Sequence, residues 1–381
     1  MTSQAFPPTS HLRPTWCEID LGAVRANVEA LVDAARPAAL MAVVKADGYG
    51  HGAVPVARAA LDAGATWLGV ALVEEGRTLR EAGVDAPVML LSEPPAAAAA
   101  EVLARRLTPV VYTPVGVEAL AKAVADAGRD EPLPVHVKAD TGMHRVGCRP
   151  EDAVALVESI DARDELVLEG VCTHLAVADE PGNPYTTEQL ASFESLLADL
   201  SARRLRPPLV HAANSAGLLA VPDARYDLVR AGITVYGVPP APALAGRVRL
   251  RPAMGLTARV SHAQRLSAGA RVSYGLRYAL AHAARICTVP IGYADGVPRN
   301  LGLVGGEVLI GGRRHPIAGT VTMDQLMVDV GDAEVGVGDE VVLIGRQGDE
   351  EVTAAEWAER MGTIGYEIVC GIGARVPRRY R

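Results

Sequence analysis

The sequence predicts an α/β protein, a (β/α)8 TIM-type barrel followed by a mostly antiparallel β-strand domain. Two observations carry this. Over the first 240 residues a short apolar run, a polar turn and an Ala/Leu-rich helical stretch recur eight times. Past Val238-Pro239-Pro240-Ala241-Pro242 the recurrence stops, and short Val/Ile/Leu runs alternate with Gly and Asp turns. Strands alternating with helices close into a parallel barrel, whereas short strands punctuated by turns build an antiparallel domain.

The eight runs are Leu40 to Lys45, Trp67 to Leu72, Val88 to Leu91, Pro109 to Tyr112, Val135 to Lys138, Leu168 to Thr173, Leu209 to Ala212 and Tyr226 to Arg230. They recur about every 26 residues, the size of a strand plus its crossover helix. The first is apolar throughout, as suits a strand buried on both faces, and Lys45 closes it. Gly48, Gly50 and Gly52 then make a permissive turn that feeds an apolar helical pattern from Ala53 to Leu61. Pro94-Pro95 ahead of Ala96 to Ala100 reads as a helix start. In the second domain the strand runs are Gly255 to Leu266, Arg285 to Ile291, Glu307 to Ile310, Gln325 to Val330 and Glu340 to Ile344, with helical pattern at Thr353 to Met361. Barrels place their chemistry at the carboxyl ends of the strands, where this chain carries Lys45, Lys138, His174, Asn214 with Ser215, and Arg230.

Composition excludes several classes. The net charge of −8 and 49% hydrophobic content argue against a nucleic-acid binder, which needs a basic face. No apolar run approaches the ~18 residues of a membrane span. The polar, proline-punctuated opening Met1 to Pro14 lacks the apolar stretch of a signal peptide. The five cysteines are scattered without metal-ligand spacing, which suits reduced thiols and a cytoplasmic location, with no metal expected.

A lysine at a strand end beside a glycine turn loses hydration, so its amine is available near neutral pH to form a Schiff base. Alone, Lys45 reads as a snorkelling side chain. The surrounding Lys45-Ala46-Asp47-Gly48-Tyr49-Gly50-His51-Gly52, however, resembles the cofactor-lysine motif of the alanine racemases, which are fold-type III pyridoxal-phosphate enzymes. The resemblance extends from Trp16-Cys17-Glu18-Ile19-Asp20 to Val376-Pro377-Arg378, with further motifs in the family's order. It implies a barrel over 14–245 and a carboxyl-terminal β domain over 246–381, with residues 1–13 packing on the latter.

The same resemblance implies pyridoxal 5′-phosphate as cofactor. Ser215, Gly232, Ile233, Tyr49 and Tyr366 would bind its phosphate, with Asn214 beside them, and Arg230 would face the pyridine nitrogen. Arginine cannot accept a proton, so an unprotonated ring would be a weaker electron sink, restraining transamination and decarboxylation. Val137-Lys138-Ala139-Asp140-Thr141-Gly142-Met143-His144-Arg145 reads plainly as a Lys138–Asp140 ion pair beside a turn. By resemblance, Lys138 is carbamylated and steadies Arg145, which contacts the substrate carboxylate.

Racemisation takes a proton from one face of the α-carbon and delivers one to the other. Lys45 suits one face. Arg271-Val272-Ser273-Tyr274-Gly275 resembles the family's catalytic-tyrosine motif, with Tyr274 supplied by the partner subunit of a head-to-tail homodimer and His174 linking that tyrosine to Arg230. Read without the family, His174 is an ordinary strand-end histidine and Tyr274 a half-buried strand tyrosine. Tyr293 and Tyr366 would narrow the mouth of the site, while the Met323 backbone helps Arg145 hold a small amino acid. The implied function is interconversion of L- and D-alanine, supplying D-alanine as a peptidoglycan precursor. Alternatives are a racemase for serine or another small amino acid, a decarboxylase of the same fold, and a non-catalytic cofactor carrier. Arg230 in place of an acidic ring partner disfavours the decarboxylase, and the second domain disfavours the carrier. Gly48, His144 and Thr322 depart from the family's usual residues.

Overall fold

The computed structural model describes residues 12–381, which divide into two compact units, residues 21–251 and residues 12–20 with 252–381. The sequence alone puts 14–245 in the barrel and 246–381 in the second domain. The difference lies in strand β1 (Thr15–Ile19), which pairs antiparallel with a strand of the second unit and parallel with another. Those backbone pairings span more than 230 residues of chain, so nothing local in Thr15–Ile19 announces them. Of the segment 1–13, residues 1–11 lie outside the described residues. Arg13 bonds Asp295 of the second unit.

The larger unit is built on β2 (Ala39–Val43), β3 (Trp67–Val70), β4 (Val88–Leu90), β5 (Thr108–Val111), β6 (Leu133–Lys138), β7 (Leu166–Cys172), β8 (Leu209–His211) and β9 (Leu228–Ala231). All eight runs read from the sequence are strands. They pair in parallel in the order β8-β7-β6-β5-β4-β3-β2-β9. Bonds from Asp227 N to Val210 O and from Arg230 N to Ala213 O, each 3.0 Å, draw β9 toward β8 and nearly close the sheet. Inward side chains from six strands, Met41, Trp67, Met89, Val110, Cys172 and Leu228, fill the interior as one apolar cluster. That makes it a packed core rather than a pore.

The covering helices follow from spacing and caps. Leu21–Ala35 buries Val24, Val28, Leu31 and Ala35, the stripe expected of a helix lying on a core. Its buried Asn27 donates to Val235 O and Arg251 O and accepts from Arg251 N, pinning the unit's last residue. Pro114–Asp126 and Pro184–Ala202 each begin with proline in the first turn, behind the side-chain caps Thr113 and Asn183.

The second unit contains β10 (Met254–Arg259), β11 (His262–Leu266), β12 (Arg271–Val272), β13 (Tyr278–Ala279), β14 (Ala284–Val289), β15 (Glu307–Ile310), β16 (Arg313–Pro316), β17 (Leu326–Asp329), β18 (Glu340–Gln347), β19 (Glu350–Val352) and β20 (Arg378–Tyr380). Its main sheet runs β16-β15-β18-β10-β1-β20 with β19 on β18, and β11-β14-β17 form a second sheet. The run read as one strand, Gly255 to Leu266, is therefore two. Val260 N bonds Asp339 O and Ser261 N bonds Thr288 O, so the chain changes sheets between adjacent residues. Beyond the expected helix Ala354–Met361, capped by Thr353, a second helix covers Gly365–Gly371 and carries Tyr366. All five cysteines are free, and four are buried. Among the described residues no helix is long and apolar enough to cross a membrane.

Candidate active site

In the barrel unit, ten residues singled out from the sequence lie in or just beyond the carboxyl-terminal parts of the strands. Lys45 and Tyr49 follow β2, Lys138 ends β6, Arg145 follows it, and His174 follows β7. Asn214 and Ser215 follow β8, Arg230 lies in β9, and Gly232 and Ile233 come after it.

The turn after β2 is tighter than a glycine turn. Ala46, Asp47, Gly48 and Tyr49 have φ of 51°, 51°, 61° and 51°, so three non-glycine residues sit in the left-handed region. Each such residue costs roughly 1–2 kcal/mol, and the environment must hold it there. Backbone bonds from Gly48 N to Val44 O (2.9 Å) and from Gly50 N to Ala46 O (3.0 Å) close one left-handed turn. Asp47 Oδ1 accepts from Ala53 N, and Glu75 Oε1 accepts from Ala46 N. The His51 Nδ1 lies 2.9 Å from Tyr49 O and 3.1 Å from Gly48 O. The result is a half-buried Lys45 on a stiff base.

Across the barrel end, Ser215 Oγ accepts from Gly232 N at 2.8 Å and lies 3.0 Å from Thr234 Oγ1. A Cβ at position 232 would stand 2.6 Å from the Tyr49 hydroxyl and 3.9 Å from Ser215 Oγ, so glycine keeps open a cradle of hydroxyls and backbone amides. Such donors suit a phosphate. Asn214 caps the helix that starts at Ser215, accepting from Gly217 N at 2.9 Å.

Arg230 is buried. It donates to His211 Nδ1 at 2.6 Å, to Thr173 O and Ala212 O at 2.8 Å each, and to His174 Nδ1 at 3.2 Å. Burial first, then Arg230 and other nearby cations, hold His174 and His211 well below the ordinary histidine pKa, so both rings are neutral acceptors. Since each accepts through Nδ1, each carries its proton on Nε2.

The plain Lys138–Asp140 pair does not form. Asp140 accepts from the Gly142 and His144 amides, whereas buried Lys138 donates to Leu91 O at 3.3 Å. The tight turn that follows offers Asp140 nearer partners than the amine. Burial, with Arg230 and Arg145 adding to it, pushes the Lys138 amine down to about 8.

The remaining predicted residues belong to the second unit. Tyr274, Tyr293 and Met323 are 71%, 40% and 52% exposed, so Tyr274 is not the half-buried strand residue of the plain reading. Thr320 Oγ1 donates to Tyr274 O at 3.1 Å, Tyr293 N to Thr322 O at 2.9 Å and Ala294 N to Met323 O at 3.0 Å, which joins the three into one surface. Beneath it, fully buried Asp295 takes a bidentate bond from Arg13 at 2.8 Å to each oxygen. Tyr366 is half-buried on the helix Gly365–Gly371.

Sequence reasoning missed Glu75, His136 and His211. Glu75 Oε2 also accepts from Ala71 N and Leu72 N, at the third position of a helix whose cap residue is leucine. A capping signature with Ser or Thr in front would have exposed it. The histidines sit inside apolar strand runs, where a core role is the default.

Comparison with known proteins identifies the family. The family model described as "Alanine racemase, N-terminal domain" matches residues 19–240, and "Alanine racemase, C-terminal domain" matches residues 253–380. An alanine racemase of Symbiobacterium thermophilum is 53% identical over 370 residues, 97% of each chain. One from Frankia casuarinae is 46% identical over the full length of both chains. A crystal structure of alanine racemase from D-cycloserine-producing Streptomyces lavendulae superposes with a TM-score of 0.92 at 41% identity, covering 99% of this chain and 98% of that one. With both domain models matched in order and relatives aligned end to end, this chain belongs to the alanine racemase family of isomerases.

Proposed function

We propose that this chain is a pyridoxal-phosphate-dependent racemase that interconverts L- and D-alanine as a homodimer, working in the cytoplasm to supply D-alanine. The observation that carries the reading is the Tyr49–Ser215–Gly232 cradle at the same barrel end as the Lys45 turn. Its hydroxyls and backbone amides fit the cofactor's phosphate, with Ile233 beside them, and Arg230 fits an unprotonated pyridine nitrogen, to which only a donor can bond. When bound, pyridoxal phosphate would be held through its aldehyde by Lys45 and would withdraw electrons from the substrate's α-carbon.

The chain's own groups then divide the work. The Lys45 amine moves a proton on one face of the α-carbon, and the phenol of Tyr274 of the partner subunit serves the other. A tyrosine 71% exposed on its own unit, among exposed Met323 and Tyr293, is suited to a neighbouring chain. His174, with its proton on Nε2, is a neutral donor able to steady a phenolate there. Arg145 holds the substrate carboxylate, and the surface that presents Tyr274 of the partner subunit brings Tyr293 of the partner subunit and Met323 of the partner subunit with it, which suits a side chain the size of a methyl. Lys138, buried among cations, gains a favourable partner for Arg145 if its amine takes up CO2 as a carbamate.

The test is to incubate purified protein and cofactor with a panel of L-amino acids, serine included, and resolve the products by chiral chromatography. D-Alanine as the dominant antipode supports the reading. D-Serine alone, or an amine product, overturns it.

A further inference from the structure

A chain of hydrogen bonds runs from Arg230 into the barrel interior, beyond the residues assigned so far. His211 Nε2 lies 2.9 Å from His136 Nδ1, and His136 Nε2 lies 3.1 Å from Glu169 Oε2. His136 and His211 are fully buried, while the Glu169 side chain is 28% exposed. We propose that Glu169 and His136 are positioning residues that fix the ring of His211 and, through it, the guanidinium of Arg230.

The directions of these bonds are determined. An arginine only donates, so His211 Nδ1 accepts and its proton sits on Nε2. That proton is donated to His136 Nδ1, which leaves the His136 proton on Nε2, pointing at the one acceptor in the chain that cannot donate, the Glu169 carboxylate. Burial depresses the basicity of both histidines, so neither becomes a cation beside Arg230. The guanidinium at one end can only donate and the carboxylate at the other can only accept, so the two ends together fix the polarity of every bond between them.

The fold makes specific room for this row. Pairing of β6 with β7 slips by one residue between Val135↔Leu168 and His136↔Gly170, which leaves Glu169 without a partner on β6. A bulge of this kind re-aims a side chain, and here it brings a carboxylate to His136. At Gly170 a Cβ would stand 2.1 Å from His136 Nδ1, so glycine is required for the ring to lie where it does. Trp67 meets the same ring edge-on at 5.8 Å.

The role at Arg230 rests on the cofactor reading above, but the proton positions do not. Neutron diffraction from perdeuterated crystals of the full-length protein should show deuterium on Nε2 and none on Nδ1 of both histidines; deuterium on His136 Nδ1 overturns the proposal whether or not the protein binds cofactor. Glu169→Gln, whose carboxamide oxygen still accepts, should keep kcat within about threefold of wild type, whereas Glu169→Leu should lower kcat about tenfold with KM little changed. The leucine variant should also displace the pH titration of the bound cofactor's absorbance. Equal losses in Tm for both variants, with kcat and that titration unmoved, would mean that Glu169 is merely structural and would overturn the proposal. If the wild type binds no cofactor while the deuterium pattern holds, the cofactor reading fails and the relay stands.

Discussion

The backbone amide of Ala46 donates to Glu75 Oε1 at 2.6 Å, and the other oxygen of that carboxylate receives the amides of Ala71 and Leu72. One side chain thus ties the left-handed turn behind Lys45 to the loop after β3. Glu75→Ala leaves the three amides without this acceptor and should cost about 1–3 kcal/mol in urea denaturation. Because the turn carries Lys45, kcat should fall at temperatures where the variant is fully folded. An unchanged midpoint and an unchanged kcat would show that the backbone bonds alone hold the turn.

Lys138 gives the fold a pH dependence with a definite sign. Burial lowers its folded pKa from 10.5 to about 8. As pH falls between those values, the unfolded chain gains a proton that the folded chain does not, and stability declines. Below about 8 the deficit is constant, worth up to about 3 kcal/mol. Lys138→Met should therefore be more stable than the unmodified wild type at pH 7, with the gap closing by pH 10.5. Added bicarbonate should narrow the gap near pH 8 as the carbamate replaces the amine, and 13C-labelled bicarbonate should yield a carbamate resonance in wild type that is absent from the variant.

In the second unit, Arg314 pairs with Glu307, Glu350 and Glu356, and Arg360 with Glu307 and Glu356, all at 2.9–3.2 Å. Isolated surface pairs contribute little, but a shared network with partly buried members contributes more. Arg314→Met should lower stability by about 1–2 kcal/mol in low salt, and the difference should shrink in 1 M NaCl, where the Debye length is about 3 Å. A salt-independent loss would point to packing of the side-chain stem instead.

Tyr274→Phe removes one hydroxyl from an exposed ring, so folding should be untouched. If this phenol serves one face of the substrate, racemisation should drop by at least about 100-fold while the bound cofactor's visible absorbance persists. Solvent deuterium should enter the product antipode of the wild type sooner than the recovered substrate, as two separate bases require. A fully active variant would remove Tyr274 from the mechanism.

The barrel was legible because each strand is a local event: an apolar run such as Val88–Leu90 needs no distant partner to be recognised. Lys45, Lys138, His174, Ser215 and Arg230 were legible for the same reason, as polar residues at the ends of such runs. What stayed hidden depends on contacts remote in sequence. Thr15–Ile19 joins the second unit only through β10 and β20. Glu75 matters through Ala46, 29 residues away. The His136–His211 contact links residues 75 apart on different strands. The turn at Ala46–Tyr49 is legible from its glycines, but its strain resides in its non-glycine residues, which no propensity reveals.

In the proposed mechanism the Lys45 amine is the group that holds the cofactor. Borohydride reduction of the protein loaded with pyridoxal phosphate, followed by peptide mapping, tests it most directly. One stable adduct is expected, on Lys45 in the peptide containing Ala46-Asp47-Gly48-Tyr49, and none in Lys45→Ala. An adduct on Lys138 or Lys122, or no adduct under conditions where the protein racemises alanine, would contradict it.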